Sequence, residues 1–174
     1  MRIRPSAKLT VIALTALLGL VPVIWLIFSY DPNPAFAEAI QSADKIVIRN
    51  GGFDCCGNDV DGQDTLLELT DPKFIAQFNN NIVFQRRTTL VHRSQCGCCG
   101  YPGIDWYAGG ERIVLTGMQH GSAVRWAGFS TDEHLTEESS AWLNRFLRLR
   151  GVPDQQAVPI RVKLDSRVGL GSYQ

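Results

Sequence analysis

The stretch from Ile104 to Thr116 reads IDWYAGGERIVLT, and it decides how the fold is built. Two runs rich in β-branched and aromatic residues, Ile104–Tyr107 and Arg112–Thr116, lie on either side of Gly109-Gly110. Both glycines can adopt positive φ without strain, so a Gly-Gly pair between two such runs predicts a β-hairpin. We therefore expect an antiparallel sheet that is organised around this hairpin.

Further runs with the short, β-branched or apolar character of strands lie on both sides of the hairpin. They are Lys45–Arg49, Thr65–Leu69, Ile82–Phe84 with a continuation over Thr88–Val91, and Ala123–Trp126. Most of these strands have no helix between them, which argues against a parallel, doubly wound fold.

Two helices are predicted from their capping residues. Asp71 can accept hydrogen bonds from free backbone amides, and Pro72 at the first helical position loses no hydrogen bond. Thr136 is the predicted N-cap of the second helix, which ends at Gly151. The order of elements predicts an α+β fold, with an antiparallel sheet of about five or six strands and two helices packed on one face.

The N-terminal part of the chain has the features of a membrane anchor. The uncharged run LTVIALTALLGLVPVIWLIF extends from Leu9 to Phe28, close to the ~20 residues that a helix needs to cross a bilayer. Arg2, Arg4 and Lys8 precede this run, and no acidic residue appears before Asp31. The positive-inside rule then places the N-terminus in the cytoplasm and the C-terminal domain in the periplasm or outside the cell.

The predicted organisation has five parts. They are a cytoplasmic N-terminus over residues 1–8, a transmembrane signal-anchor helix over 9–30, a linker over 31–43, an extracytoplasmic α+β domain over 44–153, and a tail over 154–174. The linker is predicted because Asp31-Pro32-Asn33-Pro34 is prone to turns. The alternative is a signal peptide that is cleaved after Ala37, at the small-x-small sequence Ala35-Phe36-Ala37.

Composition and charge restrict the class of function. The chain is 45% hydrophobic and 20% charged, which is typical of a folded protein. The part after Phe28 holds all 17 acidic residues but only 14 of the 17 basic ones, a net charge of about −3. Nucleic-acid binding needs a basic surface that neutralises phosphates, so this charge excludes nucleic acid as the expected partner. The expected partners are the membrane, through residues 9–30, and a protein.

All five cysteines lie in two short segments, which we name the first cysteine loop (Asp54–Gly57) and the second cysteine loop (Cys96–Gly100). In an exported domain the environment favours disulfides. Adjacent cysteines such as Cys55 and Cys56 seldom bond to each other, because that geometry is strained. We therefore predict two disulfides between the loops, which leaves one thiol over.

Two alternatives use the same cysteines. The candidate ligands of a Zn²⁺ or Cu(I) site are Cys55, Cys56, Cys96, Cys98, Cys99 and His92. The third possibility is a thiol redox protein, since Cys96 and Cys99 have CxxC spacing, although the sequence after them predicts a loop where a redox helix is expected. No GxSxG motif, P-loop or dinucleotide-binding motif is present, so no catalytic residue is assigned and enzyme activity is not the leading prediction. The leading prediction is a membrane-anchored extracytoplasmic binding or interaction domain, with its cysteine loops joined by disulfides.

Overall fold

In a computed structural model of the chain, the described residues are 29–52, 60–88 and 97–153. The strands among them are β1 (Ser29–Tyr30), β2 (Lys45–Arg49), β3 (Thr65–Leu69), β4 (Arg87–Thr88), β5 (Gly103–Ala108), β6 (Glu111–Gln119), β7 (Ala123–Trp126) and β8 (Glu133–His134). The α-helices are α1 (Asn33–Ile40), α2 (Pro72–Asn81) and α3 (Glu137–Leu149). A short 3₁₀ turn covers Val60–Gly62.

Six strands form one antiparallel sheet in the order β3-β2-β5-β6-β7-β8. The predicted hairpin is confirmed as β5 and β6, joined by Gly109 and Gly110 with φ of 58° and 88°. The strand predicted over Ile82–Phe84 is wrong, since only Phe84 forms an isolated bridge, to Leu135. Ile82 instead ends helix α2, and the buried ring of Phe84 packs on Phe36.

The hydrophobic core lies between one face of this sheet and the helices. The sheet contributes buried side chains from that face, among them Ile46, Ile104, Trp106 and Val124. Helices α2 and α3 cover it together, and the ring of Phe78 contacts Trp106 of the sheet at a centroid distance of 6.1 Å. The predicted α+β class with an antiparallel sheet is therefore confirmed.

Helix α1 was not expected, because residues 31–43 were predicted to be a linker. Pro32 is the N-cap and Pro34 lies in the first turn, where proline costs no hydrogen bond and its φ suits the helix. Phe36 and Ile40 follow at helical spacing and are both buried in the core. The domain therefore has three helices on its core face where two were predicted, and it includes residues 33–40.

The predicted helix starts are confirmed. Asp71 accepts a hydrogen bond from the Lys73 amide, and Thr136 accepts one from the Ser139 amide. Gly151 has a φ of 78° just beyond α3, as expected for the residue that follows a helix C-cap.

The predicted transmembrane segment lies outside the described residues up to position 28, and so does the tail over 154–174. Ser29 and Tyr30, which the prediction included in the membrane helix, form strand β1 and pair with β4. In the described ranges, no helix has both the length and the apolar character needed to cross a bilayer.

Candidate functional site

The second face of the sheet, opposite the helices, is buried and polar. Strand register places Arg49 opposite Gly103, Gly103 opposite Gly117, and Gly117 opposite Arg125. Because side chains alternate along a strand, Asp105 and Gln119 share this face. We name the set Arg49, Asp105, Gln119, Arg125 and Asp132 the polar cluster.

Arg49 fastens the segment that leads into the first cysteine loop. Its Nε donates to Oδ2 of Asp105 at 2.9 Å, and both side chains are almost completely buried. The Nη1 group donates to the Gly52 carbonyl at 2.7 Å and also to the Gln63 side chain. Nη2 reaches the Thr116 carbonyl at 2.8 Å. The guanidinium therefore binds a carboxylate, a strand and a loop at once, with hydrogen bonds from all three of its nitrogens.

Arg125 fastens the second cysteine loop in the same way. Its Nε and Nη2 form a bidentate ion pair with Asp132, at 2.7 Å and 2.9 Å. Its remaining Nη1 group donates to the backbone carbonyl of Cys98 at 2.9 Å. A buried pair of this kind is stable only when its hydrogen bonds are satisfied, so the position of the Cys98 carbonyl is part of what keeps Arg125 buried.

The segment that precedes the first cysteine loop contacts the second cysteine loop at Gly52. A Cβ placed on Gly52 would lie 1.6 Å from the carbonyl oxygen of Cys99, which is far inside van der Waals contact. The backbone that enters the first loop is therefore packed directly on the backbone of the second loop. This contact requires the absence of a side chain at residue 52.

Asp105 is a buried acid of the polar cluster, and its environment shifts its pKa. Burial raises the pKa of its carboxyl above its ordinary value of 3.8, although the hydrogen bond and charge of Arg49 and the charge of Arg112 act in the opposite direction. Its second oxygen, Oδ1, has no hydrogen-bond partner among the described residues. Asp105 therefore gives Arg49 its counter-charge at an energetic cost.

The sulfur of Cys98 lies beside two polar side chains at the end of strand β6. Its Sγ is 2.8 Å from Oε1 of Gln119 and 3.4 Å from Nε2 of His120. His120 has a φ of 49° and occupies the turn between β6 and β7. Cys98 and Cys99 are both disulfide-bonded cysteines. No helix follows them, since the chain enters strand β5 at Gly103.

Of the six candidate metal ligands, the structure describes Cys98 and Cys99. The others, Cys55, Cys56, Cys96 and His92, lie outside the described residues. Within residues 29–52, 60–88 and 97–153, no group of three or more His, Cys, Asp or Glu side chains is placed to hold a metal ion. The zinc or copper hypothesis and the pairing of the disulfides both stay predictions.

Sequence reasoning missed the polar cluster. The signal was a charged residue inside an otherwise apolar strand, as in Ile104-Asp105-Trp106 and Val124-Arg125-Trp126. Such a residue is found on a strand either because that face is exposed or because the charge is paired, and burial distinguishes the two.

A second candidate site is a shallow groove between α2 and α3, on the outer side of the helices. Its volume is about 400 Å³, and its lining consists of Gln77, Trp142, Arg145, Phe146, Leu149 and Arg150. Leu149 is 78% exposed, the most exposed of the large hydrophobic side chains in the described ranges. The guanidinium of Arg150 lies 4.4 Å from the ring centroid of Phe146, which orients it over the apolar floor.

Comparisons with protein-family models, characterised proteins and solved structures find no match to this chain.

The contact at Gly52 predicts a large difference between two glycine-to-alanine substitutions. Gly52→Ala should lower the free energy of unfolding by at least the roughly 1–3 kcal/mol that is usual for overpacking. The reason is that the new methyl group would overlap the carbonyl oxygen of Cys99. Gly97→Ala adds the same group in the second cysteine loop, where no atom of the described residues lies within 4 Å, and it should be close to neutral. Denaturant unfolding of both variants measures this, and equal stabilities would show that the backbone at Gly52 is not packed on Cys99.

Proposed function

We propose that the chain is a membrane-anchored extracytoplasmic interaction module that binds an acidic segment of a partner protein in the groove between α2 and α3. The observation that carries the proposal is the groove itself, which is lined by an exposed leucine, two aromatic rings and two arginines. Exposed apolar surface with a polar rim is typical of a binding site. Tryptophan and arginine are also the residues that most often dominate the energy of protein interfaces.

The charge of the groove selects the chemistry of the partner. The described lining residues include Arg145 and Arg150 and no acidic residue. Among the described residues, Arg145 forms no ion pair, so its planar set of donors is available to a carboxylate. A segment with carboxylates on both sides of an apolar side chain would match this arrangement.

The shape of the groove favours a protein segment over a flat surface. It runs between two packed helices, whose Phe78 and Phe146 rings lie 5.3 Å apart beneath it. Its volume of about 400 Å³ falls within the range of pockets that bind ligands, about 300–1,000 Å³. A concave site can enclose a protruding side chain of a protein segment, whereas a planar bilayer would contact only its rim.

The proposed anchor, residues 9–28, would lead straight into the folded domain. Strand β1 begins at Ser29, directly after the apolar run, and is paired with β4. Arg87 of β4 forms an ion pair with the buried Glu133 of β8, at 2.9 Å. The domain would therefore begin at the membrane surface, without a flexible spacer.

The proposed role of the disulfides is to link the two cysteine loops and so stabilise the fold. Disulfides are favoured over a metal site. Cys98 and Cys99 are disulfide-bonded, and a sulfur in a disulfide offers no thiolate to Zn²⁺ or Cu(I). A bond from the second loop to the first would close about 40 residues and stabilise the fold by roughly 4 kcal/mol on the chain-entropy estimate.

The proposed topology predicts the activity of a fused reporter. Alkaline phosphatase, which is active only outside the bacterial cytoplasm, should be active when it is fused after Gln174. The same fusion without residues 9–28 should be inactive, because that segment is the export signal. Activity of a cytoplasmic fluorescent reporter fused at Gln174, together with inactive phosphatase, would contradict the anchor.

The groove predicts charge-selective binding of a peptide. A fluorescent peptide with Leu-Phe between two glutamates on each side should bind the full-length protein, and a version with lysines should not. Arg145→Gln should weaken binding of the acidic peptide about tenfold, which corresponds to about 1.4 kcal/mol. Fluorescence anisotropy measures both dissociation constants.

The matched control for this experiment is Arg148→Gln. Arg148 is exposed on the same helix and makes the same charge change, but it does not line the groove. The proposal requires less than a twofold effect from it. Equal losses from Arg145→Gln and Arg148→Gln would contradict a groove site, and so would preferential binding to vesicles of phosphatidylglycerol with no binding of the peptide.

A further inference from the structure

The last turn of helix α3 distinguishes the two arginines of the groove. We propose that Arg150 is the specificity-determining residue of this site and binds a side-chain carboxylate of the partner through two parallel hydrogen bonds. Arg145 supplies positive charge without a fixed geometry. This inference rests on the proposed binding of an acidic segment between α2 and α3, and it names the residue that recognises the acid.

Two aromatic rings hold the guanidinium of Arg150. Its Cζ lies 4.4 Å from the ring centroid of Phe146 on α3 and 4.8 Å from that of Phe74 on α2. A guanidinium over the face of an aromatic ring is attracted by the ring quadrupole, which restricts the rotation of the side chain. Arg150 therefore has a preferred orientation before any partner binds, and it links the start of α2 to the end of α3.

The N–H groups of this guanidinium are available to a partner. Five donors lie in its plane, in the fork geometry that matches the two oxygens of a carboxylate. Arg150 is exposed, and it forms no ion pair with any of the described residues. An oriented guanidinium with available donors is suited to bidentate binding of a carboxylate.

The backbone at Arg150 is fixed as well. Arg150 is the C-cap residue of α3, and its N–H group donates to the Leu147 carbonyl at 3.1 Å. Two residues later, the N–H group of the buried Val152 donates to the same carbonyl, also at 3.1 Å. A side chain that is oriented on a fixed backbone loses less conformational entropy when it binds.

Arg145 has no comparable support. It is exposed on α3, one turn before Leu149, and no aromatic ring of the described residues holds its guanidinium. Binding a carboxylate in one geometry would therefore cost this side chain more of its rotamer freedom. We expect Arg145 to act through its charge, which a lysine can replace, and Arg150 through its planar donors, which a lysine cannot replace.

Phe74 has the role of a positioning residue in this arrangement. Its side chain is 41% exposed, and it does not line the groove. Its ring contact with Arg150 is the means by which it can affect a ligand in the groove. Loss of the ring should therefore weaken binding only while the guanidinium of Arg150 is present.

The first test compares two arginine-to-lysine substitutions in the full-length protein. The probe is the fluorescent peptide Glu-Glu-Leu-Phe-Glu-Glu with an amidated C-terminus, so that its carboxylates are those of side chains. Arg150→Lys keeps the charge but removes the planar donors, and it should raise the dissociation constant about tenfold. Arg145→Lys, the matched control, should raise it less than about threefold. Fluorescence anisotropy measures both constants.

The second test is a double-mutant cycle between Phe74 and Arg150. Phe74→Leu keeps an apolar side chain without the ring, and it should weaken binding about threefold in the otherwise unchanged protein. The same substitution should have no effect in the Arg150→Gln variant, because no guanidinium is left to orient. A general loss of structure would instead weaken binding by the same factor in both backgrounds.

The outcomes separate this inference from the proposed function. Equal losses from the two lysine substitutions would overturn the role of Arg150, and so would an equal effect of Phe74→Leu in both backgrounds. Either result leaves the acidic segment as the partner, provided that Arg145→Gln still weakens binding. Failure of the unchanged protein to bind the acidic peptide would overturn the proposed function and this inference together.

Discussion

A buried guanidinium must be paired with a carboxylate and must place all of its N–H groups, and the second face of this sheet is built around two of them. Arg49 pairs with Asp105, and Arg125 pairs with Asp132. Each arginine uses its other donors on backbone carbonyls at the edge of a cysteine loop, including that of Cys98. The backbone at Gly52 and at Cys98 is therefore held by charged groups that would be costly to bury without these partners.

The two faces of the sheet are stabilised by different chemistry. Helices supply apolar side chains to the core face, where the ring of Phe36 contacts both Trp106 and Trp126 edge-on. Loops bring backbone carbonyls to the other face, and these need donors when water is excluded. Arginines provide those donors, and the proposed disulfides between the loops would restrict the unfolded chain. A sheet face that is covered by loops thus needs buried donors, which the arginines supply, and restricted loops, which the cysteines would supply as disulfides.

How far the sequence predicts the structure depends on the distance over which each interaction acts. The hairpin at Gly109-Gly110 is predictable, because turn preferences act within a few residues. Helix α1 is not predictable in this way. Two prolines in Pro32-Asn33-Pro34 indicate the end of a helix unless the helix is known to start there. The ion pair of Arg49 and Asp105 joins residues 56 positions apart, so it depends on strand register that no local pattern reveals. The groove is equally hard to predict, because it forms only where helices α2 and α3 pack together.

The most direct test of this account is the disulfide map of the unreduced protein. Trypsin places Cys55 and Cys56 in the peptide 50–73 and the other three cysteines in the peptide 94–112. After alkylation, the account predicts one species in which these peptides are joined by two disulfides, with a single alkylated thiol. Recovery of an unlinked 50–73 peptide that carries two alkylated cysteines would contradict the claim that the two cysteine loops are fastened together.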